Sequence, residues 1–132
     1  MTNKVKNMKQ YYYKLVRDKI PEVIKNSGGD YEIKILRDKK FEKELIKKVG
    51  EEASGLIKAK DREELAAEIA DVLDVIEEII TLKAIDKRLI KAKQKENNRR
   101  KGGFKKKLFL IWSSGKYKSN EIKYDEKGQI LK

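Results

Sequence analysis

The sequence predicts an all-α fold whose core is an antiparallel helical hairpin of the four-helix-bundle type. Apolar residues recur with a 3.6-residue period through residues 38–82, in two segments that are separated by about two residues. Of the 132 residues, 39% are hydrophobic, which is enough for one core that a partner chain could complete. We therefore expect one domain at 11–112, between a disordered basic N-terminus at 1–10 and a C-terminal tail at 113–132 that forms a weak hairpin or is disordered.

The first predicted element is a short helix near residue 20. Asp18 is in position to cap it, and Pro21 falls in the first turn, where a missing N–H is tolerated. Gly28-Gly29 should end it. The alternation in YEIKIL at 31–36 then predicts a short strand, which could pair with LFLIW at 108–112 to form a minor two-stranded β element.

Three longer helices follow. The second extends from Asp38 to about Ala59, and the third begins after a cap at Asp61 and continues to about Leu82. Glu64 completes the capping-box pattern. The connection of about two residues requires these helices to be antiparallel neighbours. A fourth helix is predicted from Lys87 to Arg100, ended by Gly102-Gly103.

The composition excludes several kinds of chemistry. Cysteine and histidine are both absent, so disulfides, Cys/His zinc sites and Cys or Ser-His nucleophiles are ruled out. An all-oxygen site suits Mg²⁺ or Mn²⁺. No apolar segment approaches the roughly 20 residues that span a bilayer, and the N-terminus lacks the apolar stretch of a signal peptide. The expectation is a cytoplasmic protein that does not bind membranes.

Charge is distributed unevenly along the chain. Residues 42–82 contain 12 acidic and 6 basic side chains, whereas residues 83–107 contain 12 basic and 2 acidic ones. The first region is suited to a metal ion and the second to an anion. The net charge of +12 also allows an alternative, a nucleic-acid-binding module that uses the surface of residues 83–107. The acidic hairpin would repel a nucleic-acid backbone, and no recognised nucleic-acid motif is present.

Four carboxylates define the main candidate site. Glu51 and Glu52 lie on the second helix, and Glu68 and Asp71 lie on one face of the third. With the turn near residues 60–61, Glu52 is level with Glu68, and Glu51 is level with Asp71. Helices packed about 8–10 Å apart would let these groups converge, and they would repel one another without a cation. The alternative is an ordinary solvated acidic face.

Three segments resemble one known family. The segment KKVGEEASGLIKAKDREELAAEIADVLDVI at 47–76 resembles the core of the MazG-like and phosphoribosyl-ATP pyrophosphohydrolase superfamily of all-α nucleoside triphosphate pyrophosphohydrolases. KLVRDKIPEVI at 14–24 and RRKGGFKKKLFLI at 99–111 are similar to the ends of a MazG-like subgroup. The resemblance covers roughly residues 12–112, and the three segments occur in the right order.

The resemblance implies a reaction and a metal site. It implies hydrolysis of a nucleoside triphosphate, or of a phosphoribosyl-ATP-like nucleotide, to the monophosphate and pyrophosphate. The implied Mg²⁺ ligands are Glu52, Glu68 and Asp71, with Mn²⁺ as an alternative metal, and Glu51 would orient or deprotonate water. Gly55 stands where a fourth carboxylate is expected. Glu51 or Asp74 with bound waters could fill the gap. Alternatively, the site binds metal weakly and the enzyme is slow, or the chain is a catalytically impaired, nucleotide-binding relative that has lost this ligand.

Two basic segments are candidates for binding the nucleotide phosphates. They comprise Lys14, Arg17 and Lys19 near the first helix, and Arg99, Arg100 and Lys101 at the end of the fourth. The alternative interpretation is structural: Arg17 forms an ion pair and the glycines after residue 101 only stop the helix. A lone helical hairpin would leave apolar surface exposed, so a homodimer or homotetramer is predicted.

Overall fold

The computed structural model describes residues 8–114 and 123–131, and its regular structure is helical. The helices are α1 (Ile20–Asn26), α2 (Asp38–Lys58), α3 (Arg62–Leu82) and α4 (Lys87–Lys101). Within these described ranges there is no β-sheet, so the all-α prediction is confirmed. Of the predicted disordered N-terminus, residues 1–7 lie outside the described part, and residues 8–10 have no regular structure.

Helices α2 and α3 pack against each other as the predicted antiparallel hairpin. Their connection is held by reciprocal hydrogen bonds: the Glu64 amide donates to Asp61 Oδ1 at 2.8 Å, and the Lys60 amide donates to Glu64 Oε2 at 2.7 Å. The sequence predicts this capping, although the backbone donor is Lys60 rather than Asp61. The fixed turn sets the register in which the two helices face each other.

The core within the described residues is small. Leu45 of α2 is the only hydrophobic side chain there that is buried, at 5% exposure. Along α3, the apolar stripe of Leu65, Ile69, Leu73 and Ile76 keeps 37–53% of its surface exposed. The hairpin therefore leaves one apolar face of α3 uncovered in the single chain.

Asp18 does not cap α1, so this prediction is wrong. The helix begins at Ile20, and Lys19 occupies the N-cap position with helical backbone angles of φ −92° and ψ 0°. The Ile20 amide donates to the Arg17 carbonyl at 3.0 Å, so the chain enters the helix through a turn. A capping side chain needs an extended backbone, which this turn does not provide. Gly28 ends the helix region as expected, with a φ of +87° that suits glycine.

The predicted strands at 31–36 and 108–112 are also wrong. Both segments lack strand structure, and many of their side chains are open to solvent, as shown by Ile35 at 96% and Phe109 at 89% exposure. Alternation makes a segment compatible with a strand, but a strand forms only when a second backbone supplies hydrogen bonds. Within the described residues, the β pairing is one antiparallel bridge between Tyr124 and Ile130 in the tail.

The chain divides into two compact units, residues 1–93 and 94–132, and the division falls within α4. The first unit contains α1, α2, α3 and the beginning of α4. In the second unit, the end of α4 is followed by irregular chain through residue 114, and residues 125–128 form a tight turn that supports the Tyr124–Ile130 bridge. No helix in the described part of the chain is long and apolar enough to cross a membrane.

Candidate metal centre

Three carboxylates converge where α2 faces α3. Glu52 from α2 and Glu68 and Asp71 from α3 each offer an oxygen, and these three oxygens lie within 4.8 Å of one another. All three side chains are half-buried. The register of the hairpin brings Glu52 level with Glu68, and the three-residue spacing places Asp71 on the same face as Glu68. We call this group the carboxylate cluster, and it could hold a metal ion.

Glu51 lies beside the carboxylate cluster but points to two lysines. Its Oε1 is 3.1 Å from Lys14 Nζ and 3.3 Å from Lys48 Nζ. Partial burial tends to raise the pKa of Glu51, but the hydrogen bonds and charges of Lys14 and Lys48 together outweigh burial and lower the pKa below its ordinary value. A carboxylate with a lowered pKa is a weaker base, so Glu51 is better suited to orienting water than to deprotonating it.

Arg17 bridges two carboxylates on α3. Its Nη2 is 2.9 Å from Asp71 Oδ1, and its Nη1 is 2.9 Å from Asp74 Oδ2. The pKa of Arg17 is raised, first by the hydrogen bond and charge of Asp74 and then by Asp71. The guanidinium therefore contacts one member of the carboxylate cluster and one acidic residue outside it. The sequence left open whether Arg17 binds phosphate or forms a structural ion pair, and the structure shows the ion pair.

Lys48 ties the N-terminal segment to the acidic face, a role that the sequence analysis missed. Its Nζ donates to the Leu15 carbonyl at 2.9 Å and lies 3.5 Å from Glu52 Oε1, and 15% of its side chain is exposed. The spacing of Lys48 from Glu51 and Glu52 could have indicated the ion pairs. Its bond to Leu15 could not be predicted locally, because that residue lies 33 positions earlier.

The other predicted phosphate-binding residues are Lys19 in the first compact unit and Arg99, Arg100 and Lys101 in the second. Lys19 is exposed at the start of α1. Arg99 pairs with Glu96 one turn earlier in α4, with Nη2 2.6 Å from Oε1. Arg100 and Lys101 are exposed at the end of α4, within the second compact unit. A role for these four residues in binding phosphate stays a prediction.

Gly55 faces the carboxylate cluster. A β-carbon built on Gly55 would lie 2.8 Å from Glu68 Cδ and still closer to Oε2, so Glu68 occupies the space that a side chain at position 55 would need. A groove of about 420 Å³ opens beside this contact at the turn end of the hairpin. Its lining comprises Gly55, Lys58, Ala59, Lys60, Glu64, Ala67 and Glu68.

Comparison with known proteins adds no relative. No protein-family model, curated protein or solved structure matches the chain.

The ion pairs of Glu51 predict a pH-dependent contribution to stability. Because the folded-state pKa is lowered from an ordinary value of 4.5, this contribution is present above that value and is lost as the pH falls through and below it. Glu51→Gln should therefore lower the urea midpoint at pH 7 and have little effect near pH 3. Urea unfolding of both proteins at several pH values measures this. A stability difference that stays constant from pH 7 to pH 3 would contradict the assigned ion pairs.

Proposed function

We propose that the chain is a metal-dependent pyrophosphohydrolase that cleaves a nucleoside triphosphate, or a phosphoribosyl-ATP-like nucleotide, to the monophosphate and pyrophosphate. The observation that carries this proposal is the convergence of Glu52, Glu68 and Asp71 to within 4.8 Å across two helices. The resemblance of residues 47–76 to the pyrophosphohydrolase core supplies the reaction class. The proposed metal is Mg²⁺, with Mn²⁺ as the alternative, because all the donors are carboxylate oxygens.

The donor set fits such an ion. Three carboxylates provide three negative charges, and their partial exposure leaves room for the water ligands that Mg²⁺ usually keeps. When bound, the metal supplies charge stabilisation for phosphoryl oxygens and lowers the pKa of bound water. Lys14 and Arg17 place positive charges next to these carboxylates. A face that carries both signs of charge is suited to a complex of a metal ion with a polyphosphate, since the carboxylates can bind the metal and the cations can contact the phosphates.

The residues around the carboxylate cluster can orient the attacking water and neutralise the charge of the phosphates. Glu51 is held ionised by Lys14 and Lys48, so it can accept a hydrogen bond from the attacking water. Water adds to one of the two phosphorus atoms that share the oxygen between the α- and β-phosphates, the bond from that phosphorus to the shared oxygen breaks, and monophosphate and pyrophosphate separate as the water proton is released to solvent. Lys14 and Arg17 place positive charge beside the acidic face, where they can offset the charge of the leaving pyrophosphate.

A nucleotide panel tests this proposal. Pyrophosphate release should be measured with ribonucleoside and deoxyribonucleoside triphosphates and with phosphoribosyl-ATP, in Mg²⁺, in Mn²⁺ and in EDTA. We expect release from at least one nucleotide that stops when EDTA removes the metal. Release that is independent of metal, or no release from any nucleotide by folded protein, would contradict the proposal.

A second candidate is a nucleotide-binding relative that does not catalyse hydrolysis, and Gly55 favours it because the expected fourth carboxylate is missing. It predicts binding of nucleotide and metal by calorimetry with no pyrophosphate release at any metal concentration. The net charge of +12 favours a third candidate, the nucleic-acid-binding module. That candidate predicts binding to DNA or RNA whose affinity falls steeply with added salt.

Arg17 should weaken metal binding, because its positive charge lies next to the Asp71 carboxylate and would repel the cation. Two unit charges 4 Å apart interact by about 1 kcal/mol in water, so Arg17→Gln should raise Mn²⁺ affinity about two- to fivefold at low salt. The matched control is Lys19→Gln, which removes an equal charge from an exposed residue at the start of α1. Titration monitored by the signal of free Mn²⁺ measures both. Weaker binding by Arg17→Gln would instead mean that Arg17 holds Asp71 in place.

We also propose that a second copy of this chain covers the exposed stripe of α3, giving a homodimer or homotetramer. Leu65, Ile69, Leu73 and Ile76 follow helical spacing and remain 37–53% exposed. Leu73→Glu should shift the protein to monomer in sedimentation experiments, whereas Glu63→Gln, on an exposed residue of the same helix that lies away from this stripe, should not. A wild-type protein that sediments as a monomer at high concentration would contradict this assembly.

A further inference from the structure

We propose that Gly55 is a positioning residue, whose missing side chain lets the Glu68 carboxylate lie against α2 and join Glu52 and Asp71. The metal-binding part of this inference rests on the proposed function, whereas the contact between Gly55 and Glu68 is independent of it. A sequence comparison with the pyrophosphohydrolase pattern treats Gly55 as a lost ligand. The packing of the hairpin instead gives glycine a use at this position.

The observation behind this inference is steric. A β-carbon at position 55 would lie 2.8 Å from Glu68 Cδ, closer than nonbonded carbon atoms approach in proteins. Helix α2 contains a second glycine, Gly50, and a β-carbon there would meet no atom within 4 Å. Glycine is unfavourable in the interior of a helix, so both positions weaken α2. Of these two glycines, only Gly55 has a neighbour that needs the space left by the missing side chain, namely the Glu68 carboxylate.

A side chain at position 55 would displace a ligand without disrupting the fold. Glu68 meets position 55 with the end of its flexible side chain, so the carboxylate can rotate away at small cost. Rotation would move it from the position in which its oxygen lies within 4.8 Å of oxygens on Glu52 and Asp71. We therefore expect Gly55→Ala to change metal binding more than stability.

The test compares Gly55→Ala with Gly50→Ala in the full chain. Binding of Mn²⁺ alone is measured from the spectroscopic signal of the free ion, and thermal unfolding is measured in EDTA. Gly55→Ala should weaken Mn²⁺ binding about tenfold or more, which is the effect typical of losing a group that orients a metal ligand. Gly50→Ala should leave the affinity within about twofold, because a methyl group there meets open space. Neither variant should have a lower Tm than the wild type, because alanine favours the helix.

A metal-free measurement separates this inference from the proposed function. In EDTA, the carbon-13 resonance of the Glu68 side-chain carboxyl should shift in Gly55→Ala and stay in place in Gly50→Ala. If the wild-type chain binds no Mn²⁺, the proposed function fails, and this resonance alone decides the role of Gly55. The inference would be overturned if the Glu68 resonance were unchanged in Gly55→Ala. It would also be overturned if the wild type bound Mn²⁺ and Gly55→Ala bound it with the same affinity.

A folding failure of Gly55→Ala would also be informative. If the added methyl group collides only with Glu68, the double variant Gly55→Ala/Glu68→Ala should fold, because the colliding side chain has been removed. Recovery of the circular dichroism spectrum and of cooperative unfolding in that double variant would support the contact. A double variant that stays unfolded would overturn the inference.

Discussion

Asp71→Asn is expected to reduce metal-dependent pyrophosphate release at least about 100-fold, whereas Asp74→Asn should leave it within about threefold. Substitution of groups that only orient metal ligands typically costs about 10–100-fold, so loss of a ligand should meet or exceed that range. Both residues lie on α3, and each has an oxygen 2.9 Å from a nitrogen of Arg17. Only Asp71 belongs to the carboxylate cluster. Values of kcat/KM across a range of Mg²⁺ concentrations measure the difference.

This pair of variants separates metal ligation from ion pairing. Each substitution removes one negative charge from beside Arg17 and keeps a side chain of nearly the same size, so weakening of the Arg17 ion pair affects both variants. A comparable fall in both would assign the effect to Arg17. Full activity in Asp71→Asn would show that the metal needed for release is not held by this cluster. Added Mg²⁺ should partly restore the activity of Asp71→Asn if the remaining carboxylates still bind the ion weakly.

Leu45→Ala should destabilise the hairpin by about 2–5 kcal/mol, a range typical of removing a buried leucine side chain. Leu45 is the one hydrophobic residue that is buried within the described residues. Domains of this kind are stable by about 5–15 kcal/mol, so the loss would be a large part of the total. Urea unfolding monitored by circular dichroism measures it, with Ile57→Ala as the control because Ile57 is 87% exposed.

The Leu45→Ala and Ile57→Ala variants also report on assembly. Ile57→Ala should change stability by less than about 1 kcal/mol if its side chain faces solvent. A loss from Ile57→Ala as large as that from Leu45→Ala would show that Ile57 is buried in an oligomer. A loss below about 1 kcal/mol from Leu45→Ala would contradict the burial of Leu45 described above.

Much of the hairpin could be predicted from the sequence, because its determinants are local. Periodic apolar residues indicated the long helices, and Asp61 with Glu64 indicated where α3 begins, which the hydrogen bond between them confirms. The short turn then fixed which residues lie opposite each other. That register is sufficient to bring Glu52 to Glu68, so the convergence of the carboxylates followed from counting residues on either side of the turn.

The failures involve interactions that a local pattern does not contain. The alternation at 31–36 was compatible with a strand, but no other backbone among residues 8–114 and 123–131 pairs with it. Asp18 had the chemistry of a cap, but a turn between Arg17 and Ile20 sets the backbone there. The contact between Gly55 and Glu68 depends on how closely two helices approach, and the sequence suggested only that a ligand was missing.

The most direct test of the central claim is to identify the products by phosphorus-31 NMR. The nucleotide that supports the fastest release should be incubated with the full chain and Mg²⁺ in water enriched in oxygen-18. The proposed function predicts equal amounts of nucleoside monophosphate and pyrophosphate, with one water-derived oxygen-18 atom incorporated between them, and no products when EDTA is present. Formation of the nucleoside diphosphate and inorganic phosphate, or the same products in EDTA, would contradict it.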